Sequence, residues 1–254
     1  MRFKALAAVL AALIFPNLSS GQSPLPAARE SNRPDAAGYT VSVRELKIPG
    51  KARKAFVKGM QMMAAKNPGG SIAEFTKAIV EYPAYYEAYY RLGAAELDLE
   101  QGAEATEAFL KAIELSEGHY AAAYFALALV LCHDNRFAEA DTLAKTGLSL
   151  EPDSSIGQFA LGWAELGLGR LAIAEREIRG VLQRRSDFRE GWLLMVEIHR
   201  RGSHLPELVL DVDAYLKLDA SGAPSGPLRR LREEAQRTMA QSDDKTAVIA
   251  ATQP

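Results

Sequence analysis

Between residues 52 and 220 apolar side chains recur three or four positions apart, in runs of about a dozen residues separated by turn formers. That spacing places them on one face of an α-helix. The runs come in pairs and predict five helical hairpins, at about 52–85, 86–119, 121–154, 155–188 and 189–222. In the first, Ala55, Phe56, Gly59, Met62 and Met63 mark one helix and Ile72, Phe75, Ala78 and Ile79 the next. The turn Asn67-Pro68-Gly69-Gly70 lies between them and Pro83 closes the unit. The second carries Leu92, Gly93 and Glu96, then Ala105, Phe109 and Ala112; the third Leu127, Ala128 and Leu131, then Ala140, Ala144 and Pro152. The fourth has Leu161, Gly162 and Glu165, then Ala174, Ile178 and Val181; the fifth Trp192, Met195 and Val196, then Leu208, Val212 and Tyr215.

The hairpins repeat each other. Gly93 follows Gly59 by 34 residues, and Gly162 follows Gly93 by 69, two periods plus one inserted residue. Sixteen residues after each glycine stands an apolar residue (Phe75, Phe109, Ile178), and three further on Ala78, Ala112 and Val181. Glycine inside a helix costs about 1 kcal/mol relative to alanine. A chain that keeps it at three equivalent places is making room where two helices cross. One hairpin cannot bury both of its faces, so such units are stable by stacking.

The flanks read differently. Arg2 and Lys4 precede an unbroken apolar stretch from Ala5 to Phe15, ended by Pro16 and followed by the small residues Ser19-Ser20-Gly21. This predicts a signal peptide over 1–21 and a periplasmic or secreted chain, the alternative being an uncleaved N-terminal membrane anchor. The stretch of 11 residues is short of the roughly 20 that span a bilayer. No cysteine follows the cleavage point and no second apolar run of spanning length occurs, so lipid anchoring and stable membrane insertion after cleavage are not expected. Residues 22–50 predict a flexible linker, with a short extended arm at Tyr39–Ile48 lying on the helices. After the break at 221–227, Leu228, Leu231, Ala235 and Met239 predict a capping helix over 223–241, and 242–254 a disordered tail.

These positions resemble the tetratricopeptide repeat, a helix–turn–helix unit of 34 residues. Leu92-Gly93, Gly59, Phe75, Phe109, Ala78, Ala112 and Pro83 carry the likeness in the first two units; Leu161-Gly162 and Ala174 carry it in the fourth. The third has Ala128 at the glycine position, and the fifth departs furthest, with Val196 and Leu208 at small-residue positions. The resemblance covers about two thirds of the chain. It implies an all-α, right-handed superhelical solenoid of about five hairpins with a C-terminal cap, and a protein that binds other proteins.

Composition narrows the chemistry. Thirty basic and 32 acidic residues leave a formal charge of -2, with no electrostatic footprint for nucleic acid. Cys132 is the only cysteine, so neither a disulfide nor a thiolate zinc site can form within the chain; it reads as a packed small hydrophobe. His119, His133, His199 and His204 show no metal-ligand spacing, since His199 and His204 are five apart where one helix face needs four. Gly167-Leu168-Gly169 follows a helix and reads as a hairpin turn, not a phosphate loop. No catalytic constellation, cofactor or metal is expected.

In the resembled family the first helix of each unit lines the concave face. By phase that face presents Phe56, Met60, Met63, Tyr90, Leu97, Phe125, Leu129, Cys132, Phe159, Trp163, Leu166 and Leu193, rimmed by Arg53, Glu87, Glu197, Arg200 and Arg201. Family members that clamp a C-terminal carboxylate use Lys and Asn there, whereas Phe56, Met60, Tyr90 and Ala94 stand here. The strip is either an apolar groove for a peptide or partner protein, or a channel filled by the chain's own segments, 39–48 or 228–239, or closed by tight curvature. The functional expectation is a non-enzymatic exported scaffold or adaptor; the alternatives are a self-assembling, homo-oligomeric envelope protein and, more remotely, an enzyme.

Overall fold

The computed structural model describes residues 47–251, with side chains through 242. The expected signal peptide, residues 22–46 of the linker and arm, and residues 252–254 lie outside them. Among the described residues the chain is all helix and turn. Eleven helices run α1 (Gly50–Ala64), α2 (Pro68–Glu81), α3 (Tyr86–Leu97), α4 (Gly102–Leu115), α5 (Ala121–His133), α6 (Phe137–Leu150), α7 (Ser155–Gly167), α8 (Leu171–Arg184), α9 (Arg189–Gly202), α10 (Leu205–Leu218) and α11 (Ser225–Ala251). They fall in two compact bodies, residues 47–130 and 131–251.

In the first body α1 pairs with α2 and α3 with α4, and α2 packs on α3. The glycines do what their spacing predicted. A Cβ on Gly59 would lie 2.6 Å from the Phe75 ring, and one on Gly93 2.8 Å from the Phe109 ring. Both rings are fully buried, as are Ala78 and Ala112 beside them. Asn67 caps α2, its side chain accepting from the Gly70 amide at 2.9 Å, with Pro68 in the first turn where its missing N–H is not needed. Ile48, at the end of the expected arm, is buried with Ala52, Ala78, Tyr85 and Ala88.

In the second body α6 packs on α7, α7 pairs with α8, α8 packs on α9, α9 pairs with α10, and α10 carries α11. Gly162 faces Ile178 as Gly59 faces Phe75, with 2.6 Å between an added Cβ and Cδ1. Ser154 caps α7 by accepting from the Gly157 amide. Leu228 and Ala235 of α11 are buried, and Arg232 reaches Asp213 of α10 at 2.7 Å. The last helix runs ten residues beyond the end expected at 241, through part of the expected tail. From Leu228 to Ala251 there is neither glycine nor proline, and nothing local stops it.

Every turn inside a hairpin is built alike. Lys66, Glu100, Asn135, Gly169 and Ser203 all have positive φ, between 55° and 77°. The residue after each donates its amide to a carbonyl five residues back, as Gln101 does to Glu96 and Arg170 to Glu165. This left-handed helix stop satisfies carbonyls that the helix end would otherwise orphan. The inserted residue of the repeat falls between hairpins, in the connection 116–120, where Glu117 and Gly118 both have positive φ.

Candidate functional site

Within each of the two bodies most of the predicted strip is interior. Met63, Tyr90, Leu97, Phe125, Leu129, Cys132, Phe159, Leu166 and Leu193 are buried, and Trp163 retains 7% of its surface. Phe56 and Met60 alone are half-buried. Of the two alternatives, an open groove or a channel filled from within, this burial favours the second along most of the strip. Glu197, expected on the rim, is buried too, gripped by Arg200 and Arg201 at 2.7 Å each. Arg201 also donates to the Leu166 carbonyl at 3.0 Å.

A second set of aromatics, which the sequence reading missed, lies against three aromatics of the strip. The residue just before a first helix is Tyr85, Tyr120 or Phe188, and each lies on the strip aromatic of the preceding unit. Tyr85 sits 4.9 Å from Phe56, Tyr120 5.3 Å from Tyr90, and Phe188 5.0 Å from Phe159, the last two edge-on. Edge-to-face packing sets the positive ring edge against the negative face of its neighbour. Their spacing in the chain, 35 and 68 residues, follows the repeat and was the available signal. Phe56 also packs on Phe75 at 5.6 Å, and Met60 joins the cluster of Met63, Phe75 and Ala94. At Phe56, Tyr90 and Phe159 the strip is thus met by the chain's own residues from the hairpin junctions.

Surface remains at the N-terminal hairpin. Exposed Arg53 lines an open depression of about 580 Å³ with Gly50, Lys54, Val57, Lys58 and Gln61. Glu87 is half-buried. Lys58 is drawn to Glu74 at 2.8 Å, and with Lys77 holds that carboxyl below its usual range.

Reactive groups are muted. Burial, with Asp141 nearby, pushes the Cys132 thiol far up, so it stays protonated, and its sulfur lies 3.8 Å from the Ala160 carbonyl. His133 pairs with Asp134 at the end of α5, and His119 is exposed in its connection. His199 is buried against Asp211 at 2.5 Å. Among the described residues no group of His, Cys, Asp or Glu could hold a metal ion, and no helix is long and apolar enough to cross a membrane.

No protein-family model matches the sequence, and no curated protein does either. Solved structures do. PilW, a widely conserved type IV pilus biogenesis factor, is 16% identical over 80% of this chain and 94% of its own, with a TM-score of 0.68. A thermophilic tetratricopeptide-repeat protein of Thermus thermophilus is 19% identical over 73% and 98%, with a TM-score of 0.59. YrrB, a tetratricopeptide-repeat protein with an unusual peptide-binding site, is 14% identical over 70% and 92%, with a TM-score of 0.54. At such identities the likeness is one of fold, and that fold, a row of paired helices joined at small residues, is the tetratricopeptide-repeat fold.

Proposed function

We propose that the chain is an exported protein–protein interaction scaffold, an adaptor that takes a peptide or partner protein on the first-helix face of its N-terminal hairpins and catalyses no reaction itself. The observation that carries this reading is that Phe56 and Met60 keep part of their surface while the rest of the strip is packed away. Arg53, three residues before Phe56 on the same helix, is exposed, so the apolar anchor has a charged neighbour. Methionine and aromatic side chains suit that work, being adaptable and large. The peptide-binding site described for YrrB supports the same use of the fold. Export rests on the apolar segment within residues 1–21, and the periplasm is the compartment it suggests.

The test is site-specific photo-crosslinking in the cell that makes the protein. The probe replaces Met60 in one variant and Val80, exposed on α2, in the other. An adduct with another protein from position 60 and none from position 80 supports the adaptor. An adduct only with a second copy of the chain turns the reading to self-assembly. No adduct at position 60 sinks both.

A further inference from the structure

Helices α8, α9 and α10 meet around His199. Its Nδ1 lies 2.5 Å from Asp211 Oδ2 on α10, and its Nε2 lies 3.4 Å from Glu175 Oε1 on α8. Nε2 makes no hydrogen bond. A neutral imidazole has one N–H and one bare nitrogen, and an ionised carboxylate only accepts. With both carboxylates ionised and the ring neutral, one contact is acceptor against acceptor in a buried place, which is unfavourable. One more proton, on the ring or on Asp211, removes the conflict. We propose that this seam is a proton-operated joint: uptake of one proton fastens α9 to α8 and α10, and its release loosens the α9–α10 hairpin.

The charged surroundings leave the conflict uncompensated. From α8 comes Glu175, itself bound by Arg179. From α10 come Asp211 and, further off, Glu207. On α9 Glu197 is occupied by Arg200 and Arg201, and on the facing α7 Glu165 is matched by Lys145 and Arg170. The His204 ring, in the turn after α9, stands 5.8 Å away. Burial, the largest influence, lifts the Asp211 carboxyl from its ordinary 3.8 to about 6, against the pull of the His199 hydrogen bond and with the push of Glu175 and Glu207. A proton held more tightly in the folded chain stabilises it at acid pH. That stabilisation is lost as pH rises through about 6.

Amide hydrogen exchange of the full chain, corrected for intrinsic rates, tests this between pH 5 and pH 8. Protection in α9 and α10 should fall by up to about tenfold across that range. Glu175→Gln should flatten the fall, because its amide can donate to Nε2 without an added proton. An equal fall in wild type and variant overturns the proposal. So does the ¹⁵N signature of the His199 ring in wild type, if it holds one neutral tautomer throughout while the Asp211 carboxyl signal also stays fixed.

Discussion

At the residue scale the decisive quantity is the space at three glycines. At Gly93 an added Cβ meets the Phe109 ring at 2.8 Å and the Ala105 carbonyl oxygen at 3.1 Å, neither of which can turn aside. At Gly162 it meets only the end of the Ile178 side chain, Cδ1 and Cγ1, inside 3 Å. Alanine gains about 1 kcal/mol in helix propensity, while overpacking a core costs about 1–3 kcal/mol. Gly93→Ala should therefore lower the urea unfolding midpoint clearly, and Gly162→Ala much less, since an isoleucine can change rotamer. Equal losses in the two variants would show that the rings are not what keeps the glycines. These positions were legible in the sequence because each small residue has its large partner at a constant distance. The buried and half-buried polar positions were not. Glu96, Glu165 and His199 share one register of the repeat, yet a charged residue there reads as solvent face until its neighbours are known.

At the scale of the element, the apolar faces of the first helices mislead. A line of aromatics along one side looks like a surface waiting for a ligand, because the sequence shows which face is apolar but not what lies on it. Tyr85, Tyr120 and Phe188 come from the connections, where an aromatic residue has no helical phase to give it away. They pack on Phe56, Tyr90 and Phe159 of the strip. The consequence is measurable at Trp163, which retains 7% of its surface. Removing a buried aromatic costs about 3–5 kcal/mol, and less where it retains surface. Trp163→Ala should lower the thermal midpoint followed by circular dichroism far more than Met60→Ala, whose side chain is half-open. A Trp163→Ala protein as stable as wild type would return that residue to the surface and reopen the groove.

For the whole molecule, a formal charge of -2 over 254 residues leaves little general repulsion to make stability depend on pH. Two carboxyls, one in each body, are then pushed far enough up to give a response of their own. In the second body it is Asp211. In the first it is Glu96 on α3, whose Oε2 finds no hydrogen-bond partner and which forms no ion pair among the described residues. The equivalent Glu165 has Lys145 and Arg170. Burial first, then the charges of Glu104 and Glu107 on α4, lift the Glu96 carboxyl from 4.5 to about 7. The folded chain prefers it protonated. Its contribution is present below 4.5 and lost as pH rises through about 7. Glu96→Gln, which fixes the neutral form, should match wild type at about pH 4 and exceed it at about pH 8 by roughly 1–2 kcal/mol, a figure reduced from the full shift because the group is partly wet. Amide exchange separates the two carboxyls. The Gln variant should lose the pH dependence of protection in α3 and α4 and keep that of α9 and α10. If both regions flatten together, the pH response belongs to a property shared by the whole chain, and neither carboxyl is its seat.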